Sequence, residues 1–180
     1  MSNSSTPVMP PMIAPQAPEV IYRLMDSTSE GLLAINEVIG QAQHEIRIFD
    51  VSAQSLRSRD FGHPARIETL KKILLADRNN RLRIALHETR GIESELARLV
   101  ELLALFSNQI SIHRTMGAAR DAKDVMIIAD QAHFWRKPYF EHLHSVLTLH
   151  DQAAAQPFVD RFEQIWESTE VAVTGSTVGL

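Results

Sequence analysis

The chain has no cysteine among its 180 residues. Disulfides, thiolate nucleophiles and cysteine-ligated zinc or iron–sulfur sites are therefore excluded. Its seven glycines form no Gly-x-Gly pair, and no Gly-x-Ser-x-Gly sequence occurs. A glycine-rich phosphate loop and the nucleophile turn of the α/β-hydrolases are thus both missing.

Long apolar runs and an excess of positive charge are also lacking. The longest apolar candidate, Leu99–Phe106, is interrupted by Glu101 and is far shorter than the ~20 residues that cross a bilayer. No Lys or Arg precedes Arg23, so the basic start of a signal peptide is missing. The net charge of −4 argues against a general nucleic-acid-binding surface. We therefore expect a cytoplasmic protein without a membrane or nucleic-acid partner.

The distribution of proline divides the chain. Residues 1–18 hold five of the eight prolines, which cannot propagate a helix or a strand ladder, so we expect a disordered tail there. Residues 19–168 are predicted to form a single domain, a size that supports a substantial core. Residues 169–180 are predicted to form a flexible tail.

Helical and strand patterns alternate along the predicted domain. Helices are predicted from Ser27, with Glu30 completing a capping box, from Pro64 to Ala76, from Gly91 to Phe106, and after Asp151. Strands are predicted at Glu45–Val51, Arg81–Glu88, Gln109–Arg114, Val125–Ile128, His133–Arg136 and Ser145–His150. The polar stretch Ser52–His63 is predicted to be a loop. This order predicts an α/β domain with a mixed, mostly parallel sheet flanked by helices.

The stretch Asp121–Lys137 is the one around which this arrangement is organised. It contains the apolar strand and the following strand, joined by the polar turn Ala129–Gln131. The strand VMIIAD ends in Asp130, the next strand ends in Arg136, and the last helix carries Phe162 and Trp166. With these features the chain resembles one half of the phospholipase D-like fold over Ser27–Glu167. It is also similar to the uncharacterised bacterial phospholipase D-like domains, which occur alone or beside an acetyltransferase domain.

The resemblance implies a site that has lost its reactive groups. The active family carries a His-x-Lys-x4-Asp signature, in which the histidine attacks phosphorus and the lysine stabilises the phosphoryl oxygens. Counting back from Asp130, Lys123 stands at the histidine position and Val125 at the lysine position. The resemblance therefore implies a catalytically degenerate domain with a binding or assembly role. The alternative is a phosphodiesterase or nuclease with a rearranged site around His113, Lys123 and Asp130.

Basic residues gather around this stretch and form a candidate anion-binding site. We assign it to His113, Arg120, Lys123, Asp130 and Arg136, since arginine binds phosphate or carboxylate in bidentate fashion. The alternative interpretation is internal ion pairing, because Asp121, Asp124 and Asp130 are interleaved with the bases. No cofactor is expected. No metal is expected either, because the eight histidines show no metal-site spacing.

The resemblance also bears on assembly. In the active family two halves pack together, in one chain or as a dimer, so a single half of this length is expected to form a homodimer or to bind a protein partner. Arg47, Arg81, Arg83 and His113 alternate with apolar residues on three predicted strands. One face of the sheet is therefore predicted to be more polar than that of a fully covered parallel sheet.

Overall fold

Residues 16–175 are described by the computed structural model, which contains eight strands and six α-helices in that range. The strands are β1 (Ile21–Met25), β2 (Glu45–Ser52), β3 (Arg81–Glu88), β4 (Ile110–Thr115), β5 (Val125–Ala129), β6 (His133–Lys137), β7 (Ser145–Leu149) and β8 (Thr169–Val173). The helices are α1 (Thr28–Gln41), α2 (Ala53–Ser58), α3 (Pro64–Ala76), α4 (Ile92–Glu95), α5 (Ala97–Leu105) and α6 (Gln152–Glu167). A 3-10 helix spans Gly117–Asp121. The predicted tails at residues 1–15 and 176–180 lie outside the described residues.

All eight strands join one sheet in the order β1-β7-β6-β5-β2-β3-β4-β8. The β2–β3 and β3–β4 pairs are parallel, and the other five pairs are antiparallel. Parallel neighbours need a crossover, which the helices between β2, β3 and β4 provide, whereas short turns allow only antiparallel pairing between β5 and β6. The mixed α/β sheet is therefore confirmed, but the prediction that it is mostly parallel is wrong, because most of its strand pairs are antiparallel.

The sheet separates two apolar cores. The larger one lies against α1, α3 and α5 and includes Ile46, Ile48, Ile84 and Ile127. The smaller one lies under α6 and includes Phe49, Ile128 and Phe162. Neighbouring residues of a strand point to opposite faces, so Ile48 and Phe49 enter different cores. No helix within residues 16–175 is long and apolar enough to cross a membrane.

Two helix starts were correctly predicted from their capping residues. The Ser27 hydroxyl accepts a hydrogen bond from the Glu30 N–H, and the Glu30 carboxylate in turn accepts one from the Ser27 hydroxyl. The side chain of Asp151 accepts a hydrogen bond from the Ala154 N–H at the start of α6. Local hydrogen bonds of this kind depend on nearest neighbours in the chain, so the sequence reveals them.

Four segments differ from the sequence prediction. Part of the predicted loop Ser52–His63 forms α2, because Ser52 caps it and Leu56 anchors it in the core. The predicted helix from Gly91 to Phe106 is divided at Leu96 into α4 and α5. Thr169–Val173, predicted to lie in a flexible tail, pairs with β4 as strand β8, and β1 was not predicted as a strand. Both missed strands lie at sheet edges, where most of their side chains are exposed and the apolar–polar alternation is weak.

Candidate functional site

Asp130, the one signature residue that the chain retains, has a structural role. It follows β5 with a φ of 53°, in the left-handed region that Asp tolerates better than most residues. Its carboxylate accepts hydrogen bonds from the backbone N–H groups of Gln43 (3.0 Å), His44 (2.9 Å) and Glu45 (2.9 Å). Its own N–H donates to the carbonyl of Glu45 at 2.8 Å. Asp130 thus ties the end of β5 to the beginning of β2.

The other two signature positions lie at the beginning of β5. Lys123 is exposed, and its backbone carbonyl accepts a hydrogen bond from the Phe140 N–H at 2.9 Å. Val125 is buried in the larger core. The aliphatic side chain of Val125 cannot stabilise a phosphoryl oxygen, and Lys123 has no imidazole to attack phosphorus as the family's histidine does. The structure therefore contains none of the side chains that the family's covalent mechanism requires at these positions.

His113 lies on β4 under α6, away from Asp130. Its ring stacks on Trp166 with a centroid distance of 4.0 Å, and its Nδ1 forms a 2.8 Å hydrogen bond with the Thr169 hydroxyl. Burial, with a further contribution from the positive charge of Arg83, lowers the pKa of His113. Strands β2 and β3 lie between β4 and β5 in the sheet. The structure therefore does not bring His113 into hydrogen-bonding contact with Asp130.

The remaining members of the predicted anion site lie on different elements. Arg120 is exposed on the 3-10 helix, and the Arg136 guanidinium lies 4.5 Å from the ring centroid of Phe158 on the α6 side of the sheet. Arg161 binds Asp124 with distances of 2.6 and 2.7 Å, and Arg114 pairs with Glu170. Internal ion pairing, the alternative interpretation, thus occurs here, although with partners from α6 and β8.

The polar sheet face is covered by α6. Glu163 of this helix accepts hydrogen bonds from Arg47 (3.0 Å) and Arg83 (2.6 and 2.8 Å). These hydrogen bonds, from Arg83 first and then Arg47, lower the pKa of Glu163. Arg83 also donates to Glu45 at 2.5 Å and packs over the rings of α6. Arg47, Arg83, Glu45 and Glu163 on this face are thus paired with one another within one chain.

A small cavity lies beside Val125, the lysine position of the signature, on the α1 side of the sheet. Lys137 is the register partner of Val125 across the β5–β6 pair, and its side chain lines the cavity. The cavity has a volume of about 40 Å³. Its lining consists of Ser27, Thr28, Gly31, Leu32, Ile35, Ser58, Arg59, Trp135, Lys137, Leu143 and Ser145.

Arg59 is held in this cavity by a buried carboxylate. Asp50, at the end of β2, has an exposure of 0% and pairs with the Arg59 Nε at 2.7 Å. It also accepts hydrogen bonds from the Ser55 hydroxyl (2.7 Å) and the Val51 N–H (2.8 Å). The guanidinium lies 5.1 Å from the ring centroid of Trp135, a cation–π arrangement. Asp50 therefore positions Arg59 over the indole.

Two further donors line the same cavity. The Lys137 ammonium has a single long contact, 3.4 Å to the carbonyl of Phe140. Burial, followed by repulsion from Arg59, lowers the pKa of Lys137, and Asp50 partly offsets this effect. The Trp135 side chain is buried, and its indole N–H has no hydrogen-bond partner. An unpartnered buried donor is uncommon in native proteins, so this N–H marks the cavity as a candidate binding site.

The site predicted from the sequence included none of Arg59, Trp135 and Lys137. A signal was present in the i, i+2 spacing of Trp135 and Lys137, which places both side chains on one face of a strand. Arg59 could not be placed, because its segment was predicted to be a loop. Within residues 16–175, no group of three His, Asp or Glu side chains is arranged to hold a metal ion.

Solved structures with the same architecture define the class of fold. Nuc from Salmonella typhimurium, a phospholipase D family member, is 15% identical with a TM-score of 0.56, over 87% of this chain and 100% of Nuc. NucT from Helicobacter pylori is 15% identical with a TM-score of 0.57, over 86% of this chain and 100% of NucT. TrmBL2, an archaeal chromatin protein with a novel mode of DNA binding, is 18% identical with a TM-score of 0.59. The match covers 84% of this chain and 54% of TrmBL2, so this chain spans about half the length of that protein.

The fold is therefore phospholipase D-like, as the resemblance implied. The chain belongs to the family described as Domain of unknown function (DUF7931), whose model matches residues 28–173. No curated protein sequence matches the chain. At these identities the solved structures establish the fold, and the chemistry has to be argued from the site.

Proposed function

We propose that this protein is a catalytically inactive phospholipase D-like domain that has a binding role. The observation that supports the proposal is the environment of the residues at the three signature positions. Lys123 is exposed, Val125 is buried in the core, and the Asp130 carboxylate is occupied by three backbone N–H groups. A fold can keep its shape after its chemistry is lost, because the sheet depends on packing and not on the nucleophile.

The alternative is a phosphodiesterase or nuclease with a site around His113, Lys123 and Asp130. It is less well supported, because strands β2 and β3 separate His113 from Asp130. His113 stacks on Trp166, and the Asp130 carboxylate accepts a hydrogen bond from the His44 N–H. A general base must reach the group that it deprotonates, at about 2.6–3.2 Å or through one water. The structural similarity to TrmBL2 suggests DNA binding as a third role. The net charge of −4 opposes that role, and a salt-independent binding signal would exclude it.

The test of the proposed function is a hydrolysis screen. We expect no turnover of bis(p-nitrophenyl) phosphate or of single-stranded DNA by the purified chain, with or without Mg²⁺ and Mn²⁺. A phosphodiesterase that hydrolyses both substrates serves as the positive control in the same assay. Hydrolysis that follows the protein through two different chromatographic steps would contradict the proposal. Its loss in His113→Asn and Lys123→Met would then assign it to the alternative site.

The homodimer remains a separate part of the proposal. The polar sheet face gives it no support, because α6 covers that face. The outer strand β1 is a better candidate, since Tyr22 and Leu24 are 63% and 67% exposed and β1 is the terminal strand of the sheet formed by residues 16–175. Two copies of one edge strand can pair antiparallel about a twofold axis.

Light scattering at micromolar concentration tests this assembly. We expect the mass of a dimer for the unmodified chain. A charged residue at this edge is expected to disfavour the pairing, so Leu24→Lys should shift the mass toward that of the monomer. A monomer mass for the unmodified chain would rule out the homodimer without affecting the conclusions about the signature positions.

A further inference from the structure

We propose that the cavity formed by Arg59, Trp135 and Lys137 binds a small oxyanion, the phosphate or carboxylate group of a ligand. This inference names the ligand class for the proposed binding role and rests on that role. None of the three residues occupies a position of the His-x-Lys-x4-Asp signature. The cavity adjoins the signature position at Val125, whose register partner is Lys137, but it is built from other residues.

The charged residues at the cavity have a net positive charge. Arg59 and Lys137 carry two positive charges, and Asp50 is the carboxylate paired with Arg59 in the cavity wall. The group as a whole has one positive charge in excess. The side-chain exposures of Asp50 and Arg59 are 0% and 12%, so water screens this excess weakly. A bound anion would neutralise it and relieve the repulsion between Lys137 and Arg59.

The cavity also has hydrogen-bond donors available for a ligand. Arg59 uses its Nε for Asp50 and its Nη2 for the Ser55 hydroxyl at 3.2 Å, which leaves its Nη1 group available. Lys137 uses one of its three protons for a weak contact with a carbonyl, and the Trp135 N–H is unused. Three donors from three side chains therefore line one cavity. The carboxylate of Glu30, next to the lining residues, is engaged by the Ser27 hydroxyl and the N–H of Asp26.

The size of the cavity limits the ligand. A volume of about 40 Å³ exceeds the roughly 10–15 Å³ that one water needs on the same scale, so a few waters or one small oxyanion fit. Gly31 makes this room, since a Cβ there would lie 3.7 Å from the Trp135 Nε1 and 3.5 Å from the Ser145 hydroxyl. Of a nucleotide or a peptide, only the phosphate or carboxylate group would fit inside the cavity.

The experiment is a titration followed by NMR on the ¹⁵N-labelled chain. The protein has two tryptophans, and Trp166→Phe assigns the indole N–H resonance of Trp135. Inorganic phosphate, methyl phosphate and acetate are titrated separately, with potassium chloride at matched ionic strength as the control. We expect a saturable downfield shift of the Trp135 resonance, because this N–H gains its first acceptor. Whether the phosphates or acetate produce the shift identifies the kind of oxyanion.

Two variants test the geometry. Lys137→Met should weaken binding by about tenfold or more, the loss expected for a hydrogen bond to a charged group. Gly31→Ala should also weaken it, because the added methyl group occupies the cavity, while alanine favours the helix and keeps the fold intact. Lys72→Met, which removes an exposed lysine outside the cavity, should bind as the unmodified chain does.

The inference is overturned if no oxyanion shifts the Trp135 resonance beyond the chloride control, or if Lys137→Met binds with unchanged affinity. Both readouts are independent of hydrolysis. If the chain hydrolyses a phosphodiester, the hydrolysis screen refutes the proposed function. If no oxyanion binds in the cavity, the NMR titration refutes the inference. An inactive chain without oxyanion binding refutes the inference alone.

Discussion

Replacement of Asp130 by alanine is expected to lower the free energy of unfolding by about 3–5 kcal/mol. The carboxylate accepts hydrogen bonds from three consecutive backbone N–H groups, those of Gln43, His44 and Glu45. Hydrogen bonds to a charged acceptor are stronger than neutral ones, and these connect two strands that are far apart in the chain. Urea denaturation followed by circular dichroism measures the change.

Two further substitutions at Asp130 separate hydrogen bonding from backbone strain. Glycine suits the positive φ of 53° but removes the carboxylate, so Asp130→Gly should remain strongly destabilised. Asn keeps one side-chain acceptor and tolerates the backbone conformation, so Asp130→Asn should lose less. A stability for Asp130→Gly equal to that of the unmodified chain would show that the hydrogen bonds contribute nothing.

This role changes how activity data on Asp130 variants must be interpreted. A substitution that unfolds the junction between β5 and β2 would abolish any function of the domain. Loss of function in an Asp130 variant therefore identifies a catalytic group only if the variant is shown to be folded. Lys123 and His113 are better probes of catalysis, since neither side chain holds two strands together through several backbone groups.

Asp50→Asn is expected to have the second large effect, a loss of about 3–5 kcal/mol in the free energy of unfolding. The carboxylate is fully buried and is the counter-ion of Arg59. Its replacement leaves a largely buried guanidinium beside Lys137 without a negative partner. Thermal and urea denaturation at pH 7 measure the loss. Asp160→Asn, at an exposed carboxylate on α6, is the matched control and should change stability by less than about 0.5 kcal/mol.

The same variant connects stability with ligand binding. Removal of Asp50 raises the positive charge of the cavity from one to two, so an oxyanion should bind more tightly. Phosphate or acetate is therefore expected to raise the melting temperature of Asp50→Asn more than that of the unmodified chain, because a ligand stabilises the folded state according to its affinity. Equal shifts in both proteins would indicate that Asp50 and the ligand do not interact.

Local patterns in the chain were sufficient for most of the fold. The capping residues Ser27 and Asp151 and the alternation in Glu45–Val51 specify elements through neighbours a few residues apart, and the structure contains those elements. The edge strands β1 and β8 escaped prediction because most of their side chains are exposed, so neither strand has a clear apolar face in the sequence. Val173 is buried only because it packs into the larger core, whose members come from the whole domain.

For the candidate site, the sequence determined which groups are missing, and the tertiary structure decided which groups meet. The absence of cysteine and the presence of Lys123 and Val125 at the signature positions can be read from the order of residues. The clustering of His113, Arg120, Lys123, Asp130 and Arg136 was expected from proximity in sequence, but they lie on strands β4 and β6, on the 3-10 helix and in the segments before and after β5. Asp50, Arg59, Trp135 and Lys137 lie together because α2 and β6 meet at the end of β2. Contacts between segments so far apart depend on chain crossovers and packing, which no local pattern encodes.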